Sequence, residues 1–400
     1  MFIALKGENF NANHFAEEAL DLGARYAVID EVTNSKDSRL VLVDDSLVTL
    51  QKLAQQHRSM FDIPVLGING TNGKTTTKEL LVRVLSKRYT VLATKGNLNN
   101  HIGVPLTLLG LKPEHEFAII EFGANAEGEI KFLCEIARPN YGLTTNIGKA
   151  HMEGFGGIEG AIRGESEQFY YHLENGGTMF INSQDKSLNH MISRFKEPIL
   201  YPQEQDYLHA TLSSANPHIV YTYENGQEIQ TNLIGSYNFA NIAGALCIGK
   251  FFNIPNKEAN DAIQRYEPTN QRSQLIKRGS NTIIMDAYNA NPDSMRAALL
   301  SLDHMNSSNK VAVLGDMYEL GEDSIEEHEA LGDLLKDMNI DIVYLCGPMT
   351  KHVKSKYPNS KQFNDKADLE IFLKGNPLSG STILLKASRG IALETLLDVL

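Results

Sequence analysis

Cysteine is scarce in this chain: Cys134, Cys247 and Cys346 are the only three, far apart and in no Cys-x-x-Cys pair. The spacing excludes a disulfide framework and a zinc knuckle, and the thiols read as buried or incidental groups in a reducing compartment. Basic residues are also in deficit, 37 against 49 acidic ones, a net charge of −12. That balance argues against a general nucleic-acid binder or a protein of anionic membranes. It leaves room for an anionic small substrate, which a few local lysines and arginines can hold. No run of about 18 apolar residues is present, so no membrane span is expected. "MFIALKGENF" lacks a basic region followed by a long apolar stretch, so no signal peptide is visible and the expected location is cytoplasmic. No Ser-His-Asp or Cys-His nucleophile set stands out, and no solenoid repeat or low-complexity tract interrupts the chain. Met285, Met295 and Met305 read as core residues.

What is present is repeated strand and helix. Four hundred residues are too many for one ordinary core, and the pattern divides into three α/β domains. Residues 1–62 form a small N-terminal α/β unit with strands in "FIAL" and "YAVID" and helices in "HFAEEALDLG" and "SLVTLQKLAQQHRSM". Residues 63–270 alternate strand, turn and helix around a mostly parallel sheet. Near-continuous apolar runs such as "FAIIEFG" and "YGLTTNIG" suit strands buried on both faces. Residues 208–233, with a turn at "YENGQE", read as an antiparallel insertion into this P-loop ATPase-like domain. Residues 271–400 alternate again, through "NTIIMDAY", "KVAVLGDM", "DIVYLCG" and "STILLKAS", and end in a closing helix. That pattern predicts a Rossmann-like doubly wound sheet.

The stretch "GINGTNGKTTTKEL" (67–80) follows a strand and opens a helix. It matches the second half of a Walker loop, but Ile68 stands where that pattern has its first glycine. Gly70 and Gly73 let the backbone turn so that its N–H groups, from Gly70 through Thr71, Asn72 and Gly73, approach phosphate oxygens. Lys74 reaches the terminal phosphates, Thr75 offers a hydroxyl to magnesium, and Thr76 continues the positive helix start. The loop points to a nucleoside triphosphate. It does not name the reaction.

Further segments do. "GTNGKTTTKE", "IIEFGAN" (119–125), "TNIGKAHMEGFG" (145–156), "DAYNANPDSM" (286–295), "VLGDMYELG" (313–321) and "LLKASRG" (384–390) together resemble the Mur ligases, ATP-dependent amide-forming enzymes of bacterial cell-wall synthesis. The Asp-Ala-Tyr-Asn-Ala-Asn-Pro run is the most specific. It resembles the branch that joins UDP-N-acetylmuramoyl-tripeptide to D-alanyl-D-alanine. The resemblance spans all three domains and implies ATP and Mg2+ as cofactors, these two small-molecule substrates as partners, no nucleic acid, and a monomer. It also implies an acyl phosphate made from ATP and the acid, then attacked by the amine. By the same resemblance Lys74, His151, Glu165 and Arg272 are catalytic, and Thr75, Glu121, His151 and Glu165 hold metal. Asn241 meets the nucleotide base, Arg272 reaches phosphates across a hinge, and Asp286 and Asn289 lie near ribose or phosphate, beside Tyr288 and Asn291. "TKGNLNNHIGVP" supplies Asn97, Asn99, Asn100 and His101 to the acid substrate. Lys386, Ser388 and Arg389 meet the amine's carboxylate or the growing charge. Lys6, with Gly7, Asn9 and Phe10, is expected at the uridine diphosphate. Asp316 is expected either in the site or capping the turn before Met317.

Two departures from the family pattern matter. Most of the family carries on the helix "GGIEGAIRGESEQFYYHL" (156–173) a lysine converted to a carbamate. Glu165 stands at its place, or Glu167 if the register slips by two. A glutamate is already anionic, with a reference pKa of roughly 4.3, so it would do the carbamate's work without modification. The second departure is the start: Met1 falls close to the segment "FIALKGENFN", so the uridine-binding unit is expected to be shortened. Two further functional readings stay open. One is another Mur or folylpolyglutamate-type ligase with a different acid and amine. The other is a P-loop NTPase switch, which would hydrolyse ATP without an amine acceptor.

Overall fold

The computed structural model describes residues 1–400, folded as α/β units around three parallel or mostly parallel sheets. The first is small: strands Phe2–Ile3, Ala27–Ile29 and Leu40–Leu42 pair in parallel over six buried residues, four of them alanines. The helix Ser46–Arg58 lies within this segment but packs against the central unit. Ala54 joins the central core, and the buried Arg58 donates through Nε to the carbonyl of Ala137 at 3.1 Å.

The central sheet has six parallel strands in the order 199–201, 178–182, 141–144, 65–69, 117–121 and 91–93. Every residue of Val65–Asn69 and Phe117–Glu121 is buried, because helices cover both faces of these strands. The helix Lys74–Leu85 packs on Asn238–Phe251. The three antiparallel strands Ala210–Ala215, His218–Tyr223 and Glu228–Ile234 give Ile219, Tyr221, Ile229 and Leu233 to the same core. The helix expected over 156–173 is broken at Ser166 into Ile158–Glu165 and Glu167–Asn175.

The C-terminal sheet runs 274–278, 281–285, 382–386, 310–315, 342–346 and 361–363. Gln274–Arg278 is an antiparallel edge, and the other five strands are parallel. Alternation along the strands divides the core in two. Ile284, Ala312, Leu314 and Leu384 face one cluster, while Ile283, Met285, Val311, Val313 and Leu385 face the other. The closing helix is a 3-10 helix, Leu393–Val399, in which Leu393 and Leu396 bury at the three-residue spacing natural to that geometry. The central and C-terminal units join at Arg272, whose neighbours Gln271 and Ser273 both hold left-handed backbone, at φ 58 and φ 51.

Candidate active site

The strand ends of the central and C-terminal sheets face one cleft of ≈ 640 Å³, the usual ligand position in open α/β sheets. Only 5 of its 30 lining residues are hydrophobic, which suits a charged, phosphate-bearing ligand. The lining brings together Thr71, Asn72, Gly73, Lys74, Thr75 and Thr76 with Asn97, Asn99, Asn100, Glu121, His151 and Asn241 from the central unit. From the other side come Arg272, Asp286, Tyr288, Asn289, Asn291 and Lys386. Lys6, His101, Glu165, Ser388 and Arg389 are not in its wall.

The phosphate loop is shaped by its neighbours as much as by its glycines. Gly70 (φ 121) and Gly73 (φ 86) have backbone that L side chains rarely adopt. A Cβ on Gly70 would also come within 2.3 Å of Thr145 Oγ1, and one on Gly73 within 2.5 Å of Asn241 Oδ1. Asn146, which goes unmarked at the end of the strand-like run "YGLTTNIG", is the loop's main clamp. Its carbonyl accepts from Thr71 N at 2.9 Å, its Oδ1 from Asn72 N at 3.0 Å, and its Nδ2 donates to Asn72 O at 2.8 Å. The Lys74 ammonium rests on the carbonyls of Gly70 and Thr71.

Glu121 ends its strand almost fully buried. Its Oε1 accepts from the Thr75 hydroxyl at 3.1 Å and from Asn99 Nδ2 at 3.0 Å, while Oε2 accepts no hydrogen bond. Lys78 Nζ, one helical turn beyond Thr75, lies 3.5 Å from Oε2. Sequence reading passed over Lys78 because a helix lysine is usually solvated; its signal was the three-residue spacing from Thr75.

Glu165 lies beneath the loop. Its Oε2 accepts from Gly70 N at 2.9 Å and Asn69 Nδ2 at 3.0 Å. Burial pushes its carboxyl pKa up; the Lys74 charge, the Gly70 N–H, the His151 ring and the Asn69 amide pull it back. Glu167, the other candidate, points elsewhere: it accepts from Gly128 N and Lys131 N and caps the helix Glu129–Ala137. The Ser166 break lets two glutamates so close in sequence face different partners.

The four expected metal ligands do not form one cage, and no cluster of three or more His, Cys, Asp or Glu side chains is present. Thr75 and Glu121 make one centre. His151, at φ 51, instead sets Nδ1 2.6 Å from Oε2 of Glu319 and holds that carboxyl below its usual range. Other contacts bind the same two units together. Asn291 Nδ2 donates to Asn72 Oδ1 at 2.9 Å, Lys149 N donates to Asp293 Oδ2 at 2.7 Å, and Lys149 Nζ meets Glu327 at 2.5 Å.

Several candidates are already engaged. Asn241 accepts from the Thr77 hydroxyl and donates to Asn238, so its amide backs the loop. Asn100 accepts from Ile102 N and Gly103 N at the start of the helix Gly103–Leu108. His101 lines a neighbouring cavity of ≈ 410 Å³ that shares Asn100, Gly123 and Asn125 with the cleft. Lys386 Nζ donates to Asp286 Oδ2 at 2.7 Å and to Asn289 O at 3.2 Å. Ser388 accepts from Tyr318 N at 2.9 Å. Asp316 caps neither the cleft nor the Met317 turn: it accepts from Thr350 N at the helix Thr350–Lys356. Lys6 pairs with Asp30 at 3.1 Å in the N-terminal unit, where Phe10 stacks on Phe15 at 5.7 Å. The guanidinium groups of Arg272 and Arg389 lie 3.9 and 5.0 Å from the centre of the Tyr288 ring, and neither makes an ion pair.

With this geometry in place, likeness to known proteins can be stated. The model of the Mur ligase middle domain matches residues 68–249, and that of the Mur ligase glutamate ligase domain matches 271–389. The UDP-N-acetylmuramoyl-tripeptide--D-alanyl-D-alanine ligase of Bacillus subtilis is 34% identical, over 98% of this chain and 88% of its own. The Escherichia coli enzyme of the same name is 31% identical, over 100% of this chain and 90% of its own. Among solved structures, MurF from Acinetobacter baumannii superposes with a TM-score of 0.90 at 30% identity, covering 99% of this chain and 89% of that one. MurF from Thermotoga maritima, solved in complex with ADP, gives 0.86 at 27% identity, covering 100% and 93%.

Proposed function

The chain belongs to the Mur ligase family, and on that premise we propose that it joins D-alanyl-D-alanine to UDP-N-acetylmuramoyl-tripeptide in peptidoglycan precursor synthesis. The tripeptide carboxylate takes the γ-phosphoryl group of ATP, giving ADP and an acyl phosphate. The dipeptide amine then attacks the acyl carbon, and collapse of the tetrahedral adduct gives the amide and inorganic phosphate. The observation that carries this reading is the cleft itself. A phosphate loop with a buried carboxylate faces Arg272, Asp286 and Lys386 across one cleft.

Both steps gather negative charge between nucleotide and acid, so fixed cations and N–H donors should point there. The Gly73 N–H, the start of the helix Lys74–Leu85 and the Lys74 ammonium meet the phosphates, and Asn241 supports the loop from below. The N–H groups of Gly70, Thr71 and Asn72 expected there are held instead by Glu165 and Asn146. Arg272 meets phosphate from the opposite wall, with Asp286 and Asn289 near ribose or phosphate. Asn97, Asn99, Asn100 and His101 orient the acid, and Lys6 meets its uridine diphosphate. Arg389 is the free cation for the dipeptide carboxylate, since Lys386 is engaged by Asp286. Glu165 takes the carbamate's place beneath the loop, with Lys74 and the Gly70 N–H favouring its ionised form against the burial that raises its pKa.

The donor set fits magnesium. Glu121 Oε2 is a buried oxygen with no hydrogen bond, beside a threonine hydroxyl, and magnesium is usually held by one or two carboxylates together with substrate phosphates. Thr75 and Glu121 would hold one ion, with His151 and Glu165 near a second. Bound there, magnesium supplies charge to offset the phosphate oxygens. No helix is long and apolar enough to cross a membrane. The reaction belongs where ATP is supplied, in the cytoplasm, and since one chain supplies the whole cleft, a monomer suffices.

The test is ADP release with UDP-N-acetylmuramoyl-tripeptides carrying lysine or diaminopimelate, with and without D-alanyl-D-alanine, and mass detection of the product. The expected result is ADP formation that needs both acid and amine, with one amide formed per ADP. ADP release that ignores both substrates, with no amide formed, would overturn the ligase reading in favour of an NTPase switch.

A further inference from the structure

Lys78 is a buried lysine whose ammonium makes no hydrogen bond. Its side chain is 5% exposed, and Glu121, 2% exposed at its side chain, is the only carboxylate within ion-pair distance. Lysines ordinarily bury the stem and keep the charged head in water, so an ammonium held inside needs a physical reason. Thr75 and Lys78 lie three residues apart on one face of the helix Lys74–Leu85, and both reach Glu121. They treat its two oxygens differently. Oε1 accepts two hydrogen bonds, from Thr75 and Asn99, and is fully engaged. Oε2 accepts none and faces the Lys78 charge at 3.5 Å.

From this arrangement we infer that Lys78 is a positioning residue for the divalent-cation site, its charge standing beside Glu121 in the cation's place and coupled to cation binding. The inference rests on the ligase reading of the cleft. An ionised carboxylate at a buried strand end is costly without a partner charge, and Lys78 supplies that charge without capping the oxygen's lone pairs. A metal ion therefore takes Oε2 without breaking a hydrogen bond, though it meets Coulomb repulsion from the ammonium. The structure is kept ready in the absence of the ion, at the expense of affinity for it.

The experiment uses the full chain and reads thermal unfolding with ADP across a Mg2+ titration, together with Mn2+ binding followed by electron paramagnetic resonance. Lys78→Met is expected to unfold several degrees lower than the wild type without divalent ion. The deficit closes as Mg2+ saturates, because the ion restores the missing positive charge. The same variant is expected to bind Mn2+ with ADP roughly threefold or more tightly, and Lys78→Arg, which keeps the charge, stays near the wild type in both measurements. A deficit that persists at saturating Mg2+, or Mn2+ affinity that does not change, overturns the inference and leaves Lys78 a packing residue. Should Lys78→Met not fold, the pair Lys78→Met with Glu121→Gln decides. It removes both charges and is expected to fold, and its failure to do so overturns the inference. A wild type that gains nothing from Mg2+ with ADP overturns the reading of the site as well. A responsive wild type with an unresponsive variant overturns this inference alone.

Discussion

Two lysine–carboxylate pairs face the cleft from opposite sides, and they are built to different standards. In the C-terminal unit Lys386 and Asp286 meet at 2.7 Å. Lys386 also donates to Asn289 O, and the second Asp286 oxygen accepts from Ser273 N. Both groups are satisfied, and the pair is closed. In the central unit Lys78 and Glu121 stand 3.5 Å apart, and one carboxylate oxygen has no donor. Both carboxylates stand at the ends of buried strands, Asp286 the more exposed of the two, and both ammonium groups are buried. What separates them is spare bonding capacity, which marks the central pair as a place that receives a ligand and the C-terminal pair as one that fixes a wall.

The sharpest way to break this contrast is to neutralise each carboxylate in turn. Glu121→Gln should lower turnover on the order of a thousandfold, the scale of losing a charge-stabilising group. It should also cost about 3 kcal/mol in urea unfolding, because the buried Lys78 ammonium is left without its partner charge. Asp286→Asn should cost a comparable amount in urea unfolding with a far smaller loss of turnover. If the two variants exchanged their turnover losses, the distinction would fail. Glu165 tests a case between the two, since one oxygen accepts two hydrogen bonds and the other none. Glu165→Ala should lose on the order of a hundredfold in turnover, and Glu165→Lys should recover with added bicarbonate as the lysine becomes a carbamate. Near-wild-type turnover of Glu165→Ala would remove it from the chemistry. Gly73→Ala probes shape without charge. Left-handed backbone on an alanine and the clash with Asn241 should weaken ADP binding by about 1–2 kcal/mol, measured by calorimetry. The smallest effect is expected at the partly exposed Lys149–Glu327 bridge. A double-mutant cycle of Lys149→Met with Glu327→Gln should give a coupling below about 1 kcal/mol.

The legible parts of the sequence were those where composition contradicts location. A glutamate closing "FAIIE" and glycines before Lys-Thr-Thr are costly unless they do something, so Glu121 and the loop could be read directly. Lys78, Asn146 and Glu319 could not, because each is ordinary where it stands: a lysine on a helix, an asparagine past a strand end, a glutamate in a loop. Their importance arises from partners far along the chain. The same reasoning explains the structural differences. The edge strand Gln274–Arg278 is too polar to read as a strand, and only its pairing with Asn281–Met285 makes it one. The break at Ser166 follows two glycines, Gly160 and Gly164, which make the first half a weak helix. The final 3-10 turn depends on two leucines reaching a core built from other strands.

The contact between Gly73 and Asn241 bears on how this loop can change over generations. Any side chain at 73 must first find residue 241 smaller, yet shrinking Asn241 takes away the acceptor for Thr77 and the donor to Asn238. Each single step is worse than either end, so positions 73 and 241 behave as one inherited unit. The ordinary half of the loop, Gly73-Lys74-Thr75, is thus held in place from outside, by a helix more than a hundred and sixty residues downstream.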